Sequence, residues 1–246
     1  MPRWLRLMVA EAVGTFFLVF PGVGAPMLDA MRSAHGAPPV SLLGVALANG
    51  LGLGVGITAT MAVSGGALNP AVAIGLWALG KLKVNLAVLY IVAELLGAVV
   101  AVGLLHLLMP GAGVLAGTPV PAVGVSAARA AGIEAVLTFL LMTAVLTTAV
   151  DAQAPRIGGF GVGLVVVFDV LAAGPLTGAA MNPARAFGPE LIAGVWRAAW
   201  AYWVGPIAGA LAASWVYANF LKSAEAPVAS TAPAGPGGSG RRRSRR

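Results

Sequence analysis

Six long runs of apolar residues constrain the fold of this chain more than any other feature of its sequence. They cover about residues 7–28, 41–63, 84–108, 131–150, 157–176 and 198–220. A helix needs about 20 mostly apolar residues to cross roughly 30 Å of hydrocarbon. Only 9% of the 246 residues are charged, whereas a soluble domain carries about 25%. We therefore expect an all-α integral membrane protein that crosses the bilayer six times.

The first run follows Arg3 and Arg6, an arrangement that secretory signal peptides also show. A clean cleavage site with a hydrophilic domain behind it is not evident, so we interpret the run as the first membrane helix.

The positive charges predict the orientation of the chain, because cytoplasmic loops carry more Lys and Arg. With both termini in the cytoplasm, eleven cations lie inside: Arg3, Arg6, Lys81, Lys83, Arg156, Lys222 and the five arginines of the final RRRSRR. Three lie outside, namely Arg32, Arg129 and Arg197. We expect a multi-pass protein of the plasma membrane with both termini cytoplasmic.

The chain contains an internal repeat. SGGALNPAVAIG at 64–75 returns as TGAAMNPARAFG at 177–188, and YIVAELLGAVVA at 90–101 matches YWVGPIAGALAA at 202–213. Each unit holds three crossings, so the second unit inserts with the opposite orientation. We expect a first repeat at 1–110, an external linker at 111–128 and a second repeat at 129–222.

Residues 223–246 form a tail rich in Pro, Gly, Ala and Ser that ends in arginines. We expect this tail to be disordered. Contact with anionic lipid is an alternative to a solvated tail, and no folded basic face suggests a nucleic-acid partner.

Each repeated phrase contains a triplet that is typical of a helix start: Asn69-Pro70-Ala71 and Asn182-Pro183-Ala184. Asn favours the N-cap and Pro favours the first helical position. The first helix ends near Gly80, and about ten residues span roughly 15 Å, or half the hydrocarbon. We expect two re-entrant half-helices that meet at the midplane, the second of them bent or restarted at Pro189.

This geometry predicts a chemical environment at the midplane. If each Asn side-chain oxygen caps its own helix, both amide NH2 groups face the gap between two positive helix ends. A water molecule there accepts hydrogen bonds, while protons and cations meet a positive potential.

The paired triplets in an inverted repeat resemble the aquaporin (major intrinsic protein) family over about residues 7–220. The resemblance implies an aquaporin-like bundle of six transmembrane helices plus two half-helices, inverted 3+3 repeats, and a homotetramer with one pore in each protomer. It also implies that Glu11 and Glu134 accept hydrogen bonds from the two re-entrant loops.

The resemblance further implies a selectivity filter formed by Asn49, Val170, Ala179 and Arg185. A cation at membrane depth is costly and is functional by default, which supports the assignment of Arg185. The family's water-selective members are similar in having Phe and His among these positions, so the smaller side chains here indicate a wider opening.

The surrounding sequence resembles the vacuolar, ammonia-permeable branch, although Asn49 stands where that branch usually has His. We expect a passive channel for water, with ammonia, urea or hydrogen peroxide as companions. A glycerol or metalloid facilitator is the alternative, disfavoured by Ala186 after the filter arginine. A coupled secondary transporter is a further alternative, but the midplane offers no ion site.

No cysteine occurs in the sequence, and no nucleophile, phosphate loop or metal-binding cluster is evident. We therefore expect neither enzymatic activity nor a cofactor or metal. The sequence assigns no role to Glu94, whose counterpart in the second repeat is Pro206, or to Asp169.

Overall fold

The computed structural model describes residues 1–155 and 157–223. Within these ranges, six helices are long and apolar enough to cross a membrane. They are α1 (Arg3–Ala34), α2 (Ser41–Ser64), α4 (Val84–Leu108), α5 (Ala127–Val145), α6 (Phe160–Thr177) and α8 (Ala201–Val216). One π-helical turn, Leu146–Val150, extends α5, and another, Tyr217–Leu221, extends α8.

Two short helices complete the bundle, α3 (Pro70–Ala78) and α7 (Pro183–Ala193). At about 1.5 Å per residue they span roughly 14 Å and 17 Å, about half of the hydrocarbon thickness. A single 3₁₀ turn, Val114–Gly117, lies in the described connection between α4 and α5. The predicted fold class, six crossings plus two half-helices, is confirmed.

The second half-helix contains Pro189, at which we expect a bend or a restart. Helix α7 runs through this proline without a restart. The proline ring removes one hydrogen bond to the residue four positions earlier, but the buried flanks of α7 pack against α4 at this point. The Ala98 carbonyl oxygen, for example, lies 2.9 Å from the position that a Cβ on Gly188 would occupy. Tertiary packing here compensates for the local preference of proline.

Glycines allow the spanning helices to approach one another closely. A Cβ on Gly97 would lie 2.3 Å from the carbonyl oxygen of Ala12, where α4 crosses α1. In the second half, a Cβ on Gly209 would lie 2.1 Å from the carbonyl oxygen of Ala135, where α8 crosses α5. Contacts this short are possible only without a side chain. The first and third long helices of each half therefore pack in the same way, and α2 packs against α6 to join the halves.

The outer surface of the bundle is apolar. Large hydrophobic side chains are exposed on every long helix, among them Leu51, Val100, Val136 and Trp215. A soluble protein rarely exposes such continuous apolar surface, so this surface is suited to hydrocarbon. The predicted disorder of the C-terminal tail concerns residues 224–246, which lie outside the described residues.

Candidate pore at the junction of the two half-helices

The two asparagines of the repeated triplets cap the half-helices that follow them. The side-chain oxygen of Asn69 accepts from the Ala71 backbone N–H at 2.9 Å. The side-chain oxygen of Asn182 accepts from Ala184 at 2.9 Å and from Arg185 at 3.2 Å. Both asparagines are N-cap residues with an extended backbone, and each is followed by a proline. This is the local arrangement that the sequence predicts.

The amide NH2 groups of these asparagines reach across to the opposite repeat. Nδ2 of Asn69 donates to the carbonyl oxygen of Met181 at 2.9 Å, and Nδ2 of Asn182 donates to that of Leu68 at 2.8 Å. Each acceptor immediately precedes the other asparagine. An amide NH2 carries two hydrogens, so each asparagine keeps one hydrogen that is not used in the bond to the opposite repeat. Both asparagines line the same cavity.

A buried carboxylate holds each re-entrant loop. Glu11 accepts from the backbone N–H groups of Ala67 at 3.3 Å and Leu68 at 2.7 Å. Glu134 accepts in the same manner from Ala180 at 3.0 Å and Met181 at 2.6 Å. These bonds satisfy backbone groups that a non-helical segment at membrane depth cannot leave unpaired.

The two loops also share an unusual backbone conformation. Leu68 has φ 52° and Met181 has φ 53°, both in the left-handed region that side chains rarely adopt. The side chains of both residues are buried. The carboxylate bonds and the reciprocal asparagine bonds on either side therefore offset the energetic cost of this conformation.

Two tyrosines bind the C-terminal ends of α2 and α6, the helices that lead into the re-entrant loops. The sequence alone assigns these tyrosines no structural role. The hydroxyl of Tyr90 donates to the carbonyl oxygen of Ser64, and that of Tyr202 donates to the carbonyl oxygen of Thr177, both at 2.7 Å. The signal was present, because each of the matched stretches at 90–101 and 202–213 begins with tyrosine.

Arg185 is held by two backbone carbonyls from other parts of the chain. Its Nη1 donates to Gly117 at 3.1 Å and its Nη2 donates to Gly22 at 3.3 Å. Gly22 lies within α1, and its carbonyl is available because Pro26, four residues later, has no N–H to donate. The side chain is 4% exposed, and its Nε has no partner in the described residues, so this donor faces the interior of the site.

The amide of Asn49 shares the Gly22 carbonyl with Arg185. Its Nδ2 donates to Gly22 at 3.4 Å and to Val45 at 2.9 Å. A Cβ on Gly22 would lie 2.5 Å from the side-chain oxygen of Asn49. The glycine at this position of α1 thus leaves the space that the Asn49 side chain occupies beside the arginine.

The four residues predicted for the filter line two cavities. The inner cavity is lined by Asn49, Ala179, Arg185 and both capping asparagines, and it offers about 10 Å³ to the centre of a water molecule, about what one water occupies. The outer cavity is lined by Val170 and Arg185, among others, and offers about 200 Å³. Arg185 lines both cavities.

Three further carboxyl groups are buried without a hydrogen-bond partner among the described residues: Glu94, Asp169 and Glu190. Asp169 lies on α6 one residue before Val170, does not line the cavities described above, and interacts electrostatically with Glu134. In the described part of the chain, no group of three or more His, Cys, Asp or Glu side chains is arranged to hold a metal.

Comparison with known proteins places this geometry in context. The sequence model of the family described as Major intrinsic protein matches residues 1–217. The chain is 47% identical to "Aquaporin TIP4-4" of Zea mays over 219 residues, which covers 87% of this chain and 85% of the relative. It is 41% identical to "Probable aquaporin TIP4-1" of Oryza sativa subsp. japonica over 224 residues, covering 88% of this chain and 87% of the relative.

Among solved structures, the fold matches the aquaglyceroporin from Plasmodium falciparum with a TM-score of 0.78. The sequences are 25% identical, and the match covers 89% of this chain and 97% of that chain. The two proteins therefore share the entire membrane fold.

Proposed function

The chain belongs to the major intrinsic protein family, and from this membership we propose that it is a passive membrane channel for water and other small neutral solutes. Its relatives of similar length are named aquaporins. It is a channel rather than an enzyme, and the path runs through the protomer between the two half-helices.

The reciprocal bonding of Asn69 and Asn182 is the observation that carries this proposal. It fixes two helix N-termini against each other, each with a partial positive charge of roughly half an elementary charge. A neutral water molecule in the adjacent cavity gains hydrogen bonds from the remaining amide hydrogens. An arriving proton or cation meets two positive helix ends and, further out, the guanidinium of Arg185.

We propose that Asn49, Val170, Ala179 and Arg185 form the selectivity filter. Three of these side chains are small or of medium size, and the amide of Asn49 donates to the Val45 carbonyl of its own helix α2 and to the Gly22 carbonyl of α1. The opening they leave favours small neutral solutes such as ammonia, urea and hydrogen peroxide in addition to water. Ala186, next to the arginine, gives no support to a glycerol preference.

We propose that four protomers assemble through the apolar face of α2. Two shallow grooves flank this helix, one against α6 with Val55 and Phe160 in its lining and one against α1 with Phe16 and Val55. Shape and apolar character fit the packing of helices from a second copy. Native mass spectrometry in detergent tests the assembly, and a monomer as the sole species contradicts it.

The charge asymmetry supports an orientation with both termini in the cytoplasm. Cysteine labelling is a direct test, since the chain has no cysteine of its own. Each introduced thiol therefore shows on which side of the membrane its position lies. A cysteine at Ser223 should react only from the cytoplasm, and one at Ala122, in the connection between α4 and α5, should react only from outside.

Reconstituted vesicles test the channel itself. Stopped-flow light scattering in gradients of water, urea, glycerol and ammonia should show passive flux with a low activation energy and no dependence on sodium or pH gradients. Asn49→His should slow urea more than water, because it narrows the filter without touching the asparagine bridge. Flux that requires an ion gradient contradicts a channel, and an equal effect on all solutes contradicts this filter.

A further inference from the structure

A second buried carboxyl group lies beside the carboxylate that holds the first re-entrant loop. Glu94 on α4 is fully buried, as is Glu11 on α1. The Glu94 carboxyl lies within interaction range of the Glu11 carboxyl and of the Asn69 backbone N–H. No donor among the described residues makes a hydrogen bond of ordinary geometry to either of its oxygens.

The second repeat differs at the position that corresponds to Glu94. Glu134 holds its loop with the help of the Thr177 hydroxyl, which donates at 2.7 Å, and the residue that corresponds to Glu94 is Pro206. Asp169, the acid that interacts electrostatically with Glu134, lies on α6 and not on the helix that corresponds to α4. An acid at the position of Glu94 is therefore found in the first repeat alone, and the inverted symmetry of the fold does not require it.

Two ionised carboxylates are incompatible with this arrangement. An ionised carboxylate only accepts hydrogen bonds, so two of them side by side repel and leave Glu94 without a donor. Glu11 already accepts from Ala67 and Leu68 and is the better site for the negative charge. One proton on Glu94 converts the repulsion into an O–H···O hydrogen bond.

We propose that Glu94 is a protonated carboxylic acid that donates its hydrogen to Glu11 and thereby positions the first re-entrant loop and Asn69. Glu94 is a positioning residue, because it acts on the pore through Glu11 and the loop. Loss of its proton places two anions together behind the loop, so water permeability decreases as the pH rises.

The ionisable surroundings of Glu94 are few. Glu11 is the ionisable group that acts on it from α1. Tyr90 lies one turn away on α4 and is influenced by both glutamates and by Arg3. On α7, Arg185 and Glu190 act on each other rather than on Glu94. Among the described residues, Glu11 is thus the charged group that acts on Glu94.

Infrared spectroscopy of the purified protein tests the proton directly, and this readout does not depend on the proposed channel function. The wild-type spectrum minus that of Glu94→Gln at neutral pH should contain the carbonyl stretch of a protonated carboxylic acid. A difference spectrum that contains only carboxylate bands overturns the proposal.

Water permeability as a function of pH is the second readout, and it rests on the proposed function. Wild-type vesicles should lose permeability reversibly as the pH is raised, because loss of the proton from Glu94 places two anions side by side behind the loop. Glu94→Gln should stay within about twofold of the wild type at the lower pH and show no such loss, because its amide donates the same hydrogen bond at every pH.

Asp169→Asn is the matched control, because Asp169 is equally buried and unpartnered, but the acid that acts on it is Glu134 of the second repeat and not Glu11 of the first. Its pH profile should follow that of the wild type. Identical profiles for the wild type and Glu94→Gln overturn the proposal. If no protein conducts water while the infrared band is present, the proposed channel function is wrong and the proton bridge stands.

Discussion

Asn69 and Asn182 each donate a hydrogen bond to the residue that precedes the other, at 2.9 Å to Met181 and 2.8 Å to Leu68. The partners are 112 and 114 residues apart in the sequence. Each asparagine thus caps its own half-helix and also binds the opposite loop. These reciprocal hydrogen bonds join the two half-helices at their N-termini.

The two asparagines are not equivalent, because Asn182 caps two backbone N–H groups and Asn69 caps one. Loss of an N-cap costs about 1 kcal/mol, and loss of a neutral hydrogen bond costs about the same. We expect Asn182→Ala to lower the thermal unfolding temperature more than Asn69→Ala, and to lower water permeability more. Calorimetry in detergent measures the first effect, and a larger loss for Asn69→Ala would contradict the cap assignment.

Pro26 determines which donors reach the Gly22 carbonyl. In Pro26→Ala the new backbone N–H donates to this carbonyl within α1, in competition with Arg185 and Asn49. We expect a less firmly held filter and a higher ratio of urea to water permeability, without loss of stability, since a helix interior favours Ala over Pro by about 3 kcal/mol.

Pro21→Ala is the control for that experiment, because Pro21 lies in the same helix and leaves the carbonyl of Phe17 rather than that of Gly22 without an intrahelical donor. Its solute ratio should equal that of the wild type. Equal shifts in both variants would show that the change in helix geometry, rather than the freed carbonyl, is responsible.

Ala179, one of the four residues that we propose for the filter, has φ 43°, a left-handed conformation that costs a residue with a side chain about 1 kcal/mol. Ala179→Gly should therefore stabilise the protein by up to about 1 kcal/mol and widen the passage, so that urea flux increases relative to water flux. Ala198→Gly offers a matched control, because Ala198 has φ 58° but lies outside the filter. It should stabilise the protein without any change in the solute ratio.

Hydrogen bonds lower the pKa of Asp151, which follows the fourth crossing. The largest contribution comes from the Ser223 hydroxyl, followed by the backbone N–H groups of Ser223 and Gln153 and the hydroxyl of Tyr217. These bonds join the end of the last crossing to the connection after α5.

Because the folded-state pKa of Asp151 is below the unfolded value of about 3.9, the stabilisation is complete at neutral pH and is lost as the pH falls below that value. Asp151→Asn should unfold at a lower temperature than the wild type near neutral pH, and the difference should shrink below about pH 4. A difference that is constant with pH would contradict the role of the ionised carboxylate.

The sequence predicts the parts of this molecule that depend on local signals. The lengths of the apolar runs predict the six crossings. The Asn-Pro pairs predict the first residues of α3 and α7 where the structure has them. The inverted repeat then determines which elements correspond. At Pro189 the sequence leaves a bend and a restart open, and the structure shows that the helix is continuous, with α7 packed against α4.

Contacts between distant segments are not accessible from the sequence. The second role of each asparagine amide depends on a loop more than a hundred residues away, and the support of Arg185 depends on backbone carbonyls of Gly22 and Gly117 that no side-chain pattern reveals. The proximity of Glu94 to Glu11 likewise becomes visible only when α4 is placed against α1.

The central claim is that the asparagine bridge and the two helix ends admit water and exclude protons. Its most direct test measures water and proton flux in the same vesicles, by stopped-flow light scattering and by an internal pH dye. The account predicts water permeability well above that of empty vesicles and proton permeability equal to theirs. Proton flux that increases together with water flux, or water flux no higher than in empty vesicles, would contradict it.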